Sequence, residues 1–168
     1  MNIKRYIATI ILAIVLLLNF SCTDWLDVKP VDRMSEDQLY STEAGFRQAL
    51  NGIYVELNHA DLYGDELLVN TVEILAQRYK FSSMGTLTNQ YHLAEFDYTT
   101  DYAKKCGSRI WEKAYALIAN VNKLLKNADS HKDLFTGDSY DLITGEAYAL
   151  RAFLHFDLLR LFGPVYKT

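Results

Sequence analysis

Among the side chains of this 168-residue sequence that can do chemistry, the carboxylates are the first to consider. Glu95, Asp97 and Asp101 are close enough in sequence to suggest the acid pair of a glycosidase, which needs two carboxyl groups roughly 5–9.5 Å apart. Acidic residues in loops are usually just solvated, so we predict no catalytic residue and no enzyme. Sugar release abolished by replacing Asp97 or Glu95 would indicate the enzyme alternative.

The histidines and cysteines are not spaced for metal binding. His59, His92, His131 and His155 are scattered, and neither His-x-x-x-His nor Cys-x-x-Cys occurs, so we predict no metal site. His155 is expected to pack against its neighbours. No nucleophile elbow, phosphate-binding loop or dinucleotide fingerprint is present, and we predict no cofactor. The net charge of −4, without a basic cluster, argues against nucleic-acid binding.

Aromatic residues indicate a binding function more than the polar ones do. Six of them lie in or beside one irregular stretch: Tyr79, Phe81, Tyr91, Phe96, Tyr98 and Tyr102. Sugar rings stack their C–H faces on aromatic rings, so one interpretation is a glycan platform at the surface. The interpretation we favour is that these rings pin a long loop to the helices. The residues that contact a glycan are therefore left unknown.

The first 21 residues have the pattern of a secretory signal. Lys4 and Arg5 precede an apolar run over residues 6–20, which is shorter than the roughly 20 residues that span a bilayer. The alternative is a retained membrane anchor. Ser21 before Cys22 is typical of a lipoprotein signal, in which the cysteine is acylated, although Asn19 departs from the usual aliphatic residue. Cys22 is the predicted lipid-attachment site, and its acyl chains would anchor the protein in a membrane.

The elements that must position these residues are helices. Two prolines and long apolar periods predict an all-α fold with helices from Thr42 to about Leu57, from Asp65 to Tyr79 and from about Tyr102 to Asn127. An irregular loop is expected at about 80–100, with a short extended stretch possible over 91–98. Cys106, the only cysteine left after acylation, is expected to pack near a helix start.

The last helix is apolar on two sides. One face comprises Ile143, Ala147, Leu150, Leu154, Leu158 and Leu161. The other comprises Tyr148, Ala152, Phe156, Leu159 and Phe162. Such a helix must be enclosed on both sides, and we predict partners earlier in the chain for one face and none for the other. Gly163 is predicted to be a left-handed cap before Pro164.

Two further predictions concern charged residues of the last helix. Arg151 is surrounded by apolar residues in sequence, so we expect it to pair with a carboxylate or with helix-end carbonyls. Asp157 and Arg160, three residues apart, are expected to pair on the helix surface.

Several segments of the chain resemble the SusD/RagB family, surface lipoproteins of Bacteroidetes that capture glycans for an outer-membrane transporter. The signature helix of that family is similar to residues 145–147, 150–153 and 156–164. Residues 23–30, 62–64, 75–79 and 110–122 also resemble it. The resemblance implies tetratricopeptide-like helical hairpins in the N-terminal portion of a SusD-like fold. Family members are much longer, so we expect a truncated chain, marginally stable by itself.

The resemblance also implies an organisation and a function. We expect a signal peptide at 1–21, a tether and docking segment at 22–41, and a truncated helical domain at 42–168. The full-length protein is expected to bind a glycan without cleaving it and to act with a SusC-like TonB-dependent transporter. It would be anchored through Cys22 and exposed at the outer-membrane surface. The alternative is an interaction module that contacts the transporter without binding glycan, which pull-down without retention on polysaccharide gels would favour.

Overall fold

The computed structural model describes residues 35–82, 85 and 87–164 of the chain. In this part the regular elements are six α-helices and one short 3₁₀ helix: α1 (Glu36–Leu39), α2 (Glu43–Leu57), α3 (Thr71–Leu75), α4 (Thr88–Ala94), α5 (Asp101–Ser130), the 3₁₀ helix (Lys132–Leu134) and α6 (Ser139–Phe162). The all-α prediction is confirmed. The predicted signal peptide and Cys22 lie outside the described residues. Within the described residues, no helix has both the length and the apolar character needed to span a bilayer.

The main core lies between three long helices. α5 and α6 form an antiparallel hairpin, and α2 packs across both. The side chains at the centre of this core are Phe46, Leu50 and Ile53 from α2, Ile110, Leu117, Val121 and Leu124 from α5, and Ile143, Ala147, Leu154 and Leu158 from α6. Burying apolar surface between long helices is the dominant stabilising contribution in a fold of this kind.

The start of α2 is fixed by a helix cap and by the close packing of α1 against it. Thr42 caps the helix, since its side-chain oxygen accepts a hydrogen bond from the Gly45 N–H at 3.1 Å. This cap satisfies a backbone donor that the helix itself leaves unpaired. Gly45 is buried against the end of α1, where a Cβ atom would lie 1.7 Å from the Leu39 carbonyl oxygen. Only glycine allows α1 to pack this closely on α2.

The helix predicted from Asp65 to Tyr79 is wrong in its length, since only Thr71–Leu75 is helical. The Asp65 carbonyl accepts hydrogen bonds from the N–H groups of the three residues at 68–70, which closes a turn instead of starting a long helix. Gln77 then adopts a left-handed conformation with φ of 60°, which a continuing right-handed helix does not allow.

The extended stretch considered for residues 91–98 is also wrong. Residues up to Ala94 belong to α4, and a turn follows in which Phe96 has φ of 59°. Leu93 and Ala94 are buried against Ile74 and Ala103, forming a second, smaller apolar cluster. Contact with this cluster stabilises a short helix that its own propensity does not predict.

Gly163 ends α6 at the predicted place but not with the predicted geometry. Its φ and ψ are −66° and 150°, which is extended rather than left-handed. The reason is Pro164, because the ring of a proline pushes the residue before it toward extended backbone. The Gly163 N–H still donates to the Leu159 carbonyl at 2.8 Å, which closes the last turn.

The two faces of α6 differ as predicted. Ile143, Ala147, Leu150, Leu154 and Leu158 are buried, and Leu161 is half-buried. The opposite residues, which we call the outer face of α6, are exposed: Tyr148, Ala152, Phe156, Leu159 and Phe162. The exposed fraction of Leu159 reaches 65%. The outer face is therefore an apolar surface without a cover in the described part of the chain.

Charged residues on α6 follow the sequence expectation only in part. Asp157 and Arg160 form the predicted ion pair at 3.4 Å. Arg151 does not bind a carboxylate or helix-end carbonyl as predicted; it donates to the Asn122 side-chain oxygen at 2.8 Å and lies over the Tyr148 ring. It is only half-buried, so an amide oxygen and an aromatic face are sufficient partners.

Candidate functional site

A cavity of about 410 Å³ opens where the chain passes from α3 to α4. We call it the loop cavity, and its lining residues are Gln77, Arg78, Tyr79, Lys80, Phe81, Tyr91, Ala94 and Glu95. Three aromatic rings face the same space as charged side chains of both signs and an amide. Aromatic surface combined with a few hydrogen-bonding groups is the usual composition of a site for a small organic ligand.

Two residues in the left-handed region bracket the loop cavity. Gln77 has φ of 60° and Phe96 has φ of 59°, and neither is glycine. Such conformations cost free energy and occur preferentially at functional sites, where surrounding contacts maintain them. The Gln77 side-chain NH₂ donates to the carbonyl oxygen of Ala94 at 2.7 Å. Gln77 thus links the end of α3 to the end of α4 and fixes the width of the cavity, a role that nothing in its sequence context predicts.

The six aromatic residues singled out in the sequence divide into two groups. Phe81 and Tyr102 pack against the smaller apolar cluster, so the pinning role that we favoured is confirmed for them. Tyr79, Phe96 and Tyr98 are instead exposed, at 46%, 51% and 57%. The remaining residue, Tyr91, is half-buried in the wall of the loop cavity.

Tyr79 and Tyr91 are the aromatic residues best placed to meet a ligand in the loop cavity. The Tyr79 hydroxyl donates to the Val69 carbonyl at 3.1 Å, and its ring lies edge-on to Phe81 with centroids 6.0 Å apart. The Tyr91 ring is held edge-on against His92 at 5.7 Å. Rings held in this way present a stable surface, because little side-chain freedom remains to be lost on binding.

The three acids considered for catalysis, Glu95, Asp97 and Asp101, lie in different structural environments. Asp97 accepts from the hydroxyl and the N–H of Thr99, at 2.6 and 3.0 Å, and these bonds hold its pKa below the usual value. An ionised, hydrogen-bonded carboxylate cannot supply the proton that a glycosidase acid gives to the leaving group. Asp101 lies in the first turn of α5, and Glu95 lines the loop cavity.

A buried ion pair fixes the turn before α3 to α5. Glu66 is only 2% exposed and accepts from the Arg109 guanidinium and from the Thr71 hydroxyl. Arg109 also lies 3.6 Å from an Asp61 oxygen. Cys106, buried as predicted, has its sulfur 3.8 Å from the same guanidinium. This pair positions α3 and hence the loop cavity.

A second, larger cavity of about 700 Å³ lies between the start of α5 and the end of α6. Trp111 forms part of its wall and is 43% exposed, and Tyr115 beside it is 40% exposed. The helical period of α5 predicts both residues on its buried side, and this prediction is wrong. They lie instead at the edge of the α5–α6 hairpin, where the rings of Phe162 and His155 cover only part of each.

No group of three or more metal-binding side chains occurs within the described ranges. The histidines have other contacts. The His155 ring lies edge-on to the Tyr115 ring, with the ring centroids 6.1 Å apart. The Nδ1 atom of His131 lies at hydrogen-bond distance, 2.9 Å, from the Asn127 carbonyl oxygen.

Comparison with known proteins gives one family and two relatives. A family model described as "Starch-binding associating with outer membrane", of the SusD-like type, matches residues 24–168. SusD-like protein P2 of Formosa agariphila is 27% identical over 96% of this chain and 30% of its own length. SusD-like protein P25 of the same organism is 27% identical over 86% of this chain and 28% of its own length. The chain thus spans less than a third of these relatives, and no solved structure matches it.

Proposed function

Because the chain belongs to the SusD-like family described as starch-binding and associating with the outer membrane, we propose that it is the glycan-binding part of a nutrient-uptake lipoprotein. The observation that carries the proposal is the family match over residues 24–168, which includes every described helix. The protein binds its glycan without cleaving a bond.

The anchoring and the partner are further parts of the proposal. Acyl chains on Cys22 hold the protein at the outer membrane, exposed at the cell surface, as the signal-like residues before it indicate. A SusC-like TonB-dependent transporter takes up the glycan that the protein captures. The proposed domain order is a signal peptide at 1–21, a tether and docking segment at 22–41, and a helical domain over 42–168 that is the N-terminal fragment of a longer fold.

Within this chain, the loop cavity is the proposed point of contact with the glycan. Tyr79 and Tyr91 provide aromatic surface for the C–H faces of sugar rings. Arg78, Lys80 and Glu95 provide donors and acceptors for ring hydroxyls at the rim. The strained conformation of Gln77 supports this choice, since such strain concentrates at ligand sites.

Native electrophoresis through gels containing soluble starch tests the proposed function. The whole 168-residue chain in mild detergent is expected to migrate more slowly in the starch gel than in a plain gel. Tyr79→Ala and Tyr91→Ala should each lose most of this retardation, whereas Tyr79→Phe, which retains the ring, should keep it. Tyr148→Ala is the matched control, because Tyr148 is a similarly exposed tyrosine on the outer face of α6. Equal migration in starch and in plain gels would contradict the proposal.

One observation favours the alternative function, an interaction module that binds the transporter without glycan. The outer face of α6 is an exposed apolar surface, and such surfaces are typical of protein contacts. Co-purification with a SusC-like transporter, combined with unretarded migration in polysaccharide gels, would decide for this alternative. Replacing Phe156 with glutamate should then abolish co-purification.

A further inference from the structure

We propose that the 700 Å³ cavity is a second sugar-binding site, separate from the loop cavity, in which Trp111 stacks against a neutral sugar ring. This inference rests on the proposed function and adds a location and a ligand class to it. The cavity lies between the first turns of α5 and the last turn of α6, and Leu93 and Tyr98 complete its wall. Its volume is within the range of about 300–1,000 Å³ that small-ligand sites occupy.

The indole ring of Trp111 is held in a fixed orientation. The Tyr115 ring lies 4.7 Å away on one side, and the Phe162 ring meets it edge-on at 5.2 Å on another. The remaining surface is open, since Trp111 is 43% exposed. A rigid, half-covered aromatic ring loses little conformational entropy when a ligand stacks on it, which favours binding.

Polar side chains surround this ring at helical spacing. Lys104, Ser108 and Glu112 follow one another at steps of four residues on α5, so they lie along the same side of the helix. The side chains of Lys104 and Glu112 are exposed and form no hydrogen bond or ion pair in the described part of the chain, although the Lys104 charge also acts on Asp97 from a longer distance. They are therefore free to bond the hydroxyl groups of a sugar stacked on Trp111.

The charges of the cavity favour a neutral ligand. The lining contains one lysine, Lys104, and one glutamate, Glu112, and Arg160 is already paired with Asp157 at 3.4 Å. The balance leaves no excess positive charge to attract a carboxylated or sulfated sugar. A mixed set of donors and acceptors beside an aromatic ring suits uncharged hydroxyls, as in a glucan.

Trp111 can report on its own site, because the sequence contains only one other tryptophan, Trp25. Trp25→Phe in the whole chain leaves Trp111 as the single indole emitter. Titration in detergent with maltoheptaose should change its emission in a saturable way and lower its quenching by acrylamide. A hepta-galacturonate of equal length should not.

Affinity measurements on variants complete the test. Trp111→Ala should weaken maltoheptaose binding by about tenfold, in line with the loss of an aromatic stacking partner, and Trp111→Phe should recover part of it. Tyr148→Ala removes an exposed ring on the outer face of α6, outside the cavity, and should change nothing. Circular dichroism melting of Trp111→Ala separates loss of binding from loss of folding. Lys104→Met and Glu112→Gln, at two exposed positions, test the site without changing the ring, and each should also weaken maltoheptaose binding.

Four outcomes would overturn the inference. If maltoheptaose leaves the emission of Trp111 unchanged while starch gels retard the protein, the second site is wrong and the proposed function stands. If neither response occurs, both are wrong. Equal saturation by the galacturonate would reject the neutral class. Resistance of Trp111 to acrylamide without sugar would show that protein, not glycan, covers the cavity.

Discussion

At the scale of single residues, the least replaceable contact is the ion pair between Glu66 and Arg109. Glu66 is nearly inaccessible to water, whereas the Arg109 side chain is 42% exposed, so the two partners are not equivalent. Removing the base leaves a buried carboxylate without its counter-charge, and an uncompensated buried charge is far more costly than the absence of both groups.

We therefore expect Arg109→Met to lower the free energy of unfolding by about 3 kcal/mol. The double change Glu66→Leu with Arg109→Met should recover more than half of that loss, because no charge then remains buried. Urea unfolding followed by circular dichroism measures both. Arg47→Met is the control, since Arg47 forms an exposed ion pair with Glu43 at 3.6 Å and should cost less than about 0.5 kcal/mol. Equal costs at the two sites would contradict this account.

The carboxyl group of Glu43 determines one direction in which the stability of the fold changes with pH. Hydrogen bonds from the Ser139 hydroxyl, and then from the hydroxyl and N–H of Thr136, hold its pKa below the usual value. A carboxylate whose pKa is lowered by folding stabilises the folded state above its unfolded pKa of about 4.3. That contribution is lost as the pH falls through the lower, folded pKa.

Melting temperatures at pH 7 and below pH 4 should show this. Glu43→Gln is expected to melt lower than the parent at pH 7, and the difference should shrink as the pH falls. Glu112→Gln, which removes an exposed carboxylate without a described hydrogen-bond partner, should follow the parent profile. A constant difference between Glu43→Gln and the parent at every pH would be evidence against the assignment.

At the scale of helices, two glycines of α2 have opposite roles. Gly45 faces the end of α1, where a Cβ atom would overlap the Leu39 carbonyl, whereas a Cβ atom at Gly52 would meet nothing within 4 Å. Gly45→Ala should therefore lower the free energy of unfolding by about 1–3 kcal/mol, because α1 must move away. Gly52→Ala should raise it by up to about 1 kcal/mol, since alanine favours helix over glycine. Urea titration of the two variants tests this, and destabilisation of similar size at both positions would refute it.

Helices with a strong apolar period were predictable from the sequence, and short ones were not. α5 extends only a few residues beyond its predicted limits, because one continuous apolar stripe specifies it, and α6 ends at the predicted Gly163. α4 depends on the contacts of Leu93 and Ala94 with residues distant in sequence. The extended conformation of Gly163 follows from its neighbour Pro164, whose local steric effect outweighs the preference of glycine for a left-handed helix cap.

The candidate sites were predicted less fully than the fold. The aromatic composition around the loop pointed to Tyr79 and Tyr91, but only the three-dimensional structure separates rings that line a cavity from rings that anchor a loop. Gln77 and the exposure of Trp111 gave no sequence signal. Both depend on where α4 and the end of α6 lie relative to α5, which periodicity within one helix does not determine.

At the scale of the whole molecule, the dominant feature is the uncovered outer face of α6. Phe156 and Leu159 are 56% and 65% exposed, and Tyr148 extends the same apolar surface. Apolar surface of this kind, left in water, drives association. We expect the chain to self-associate in solution and to melt over a broad temperature range.

Sedimentation velocity in density-matched detergent can measure this association. Phe156→Glu combined with Leu159→Glu should shift the protein toward monomer while keeping its helical circular dichroism. Leu158→Glu, one position away but on the buried face, should instead unfold the chain, because Leu158 is 5% exposed. A monomeric parent chain with a sharp melting transition would contradict the prediction.

The position of α6 at the far end of the described sequence also affects how the chain is made. α2 and α5 leave the ribosome before α6, which supplies the wall that encloses their shared interior, Ile143 to Leu158. A nascent chain therefore stays open, with its apolar residues accessible to chaperones, until α6 has been made.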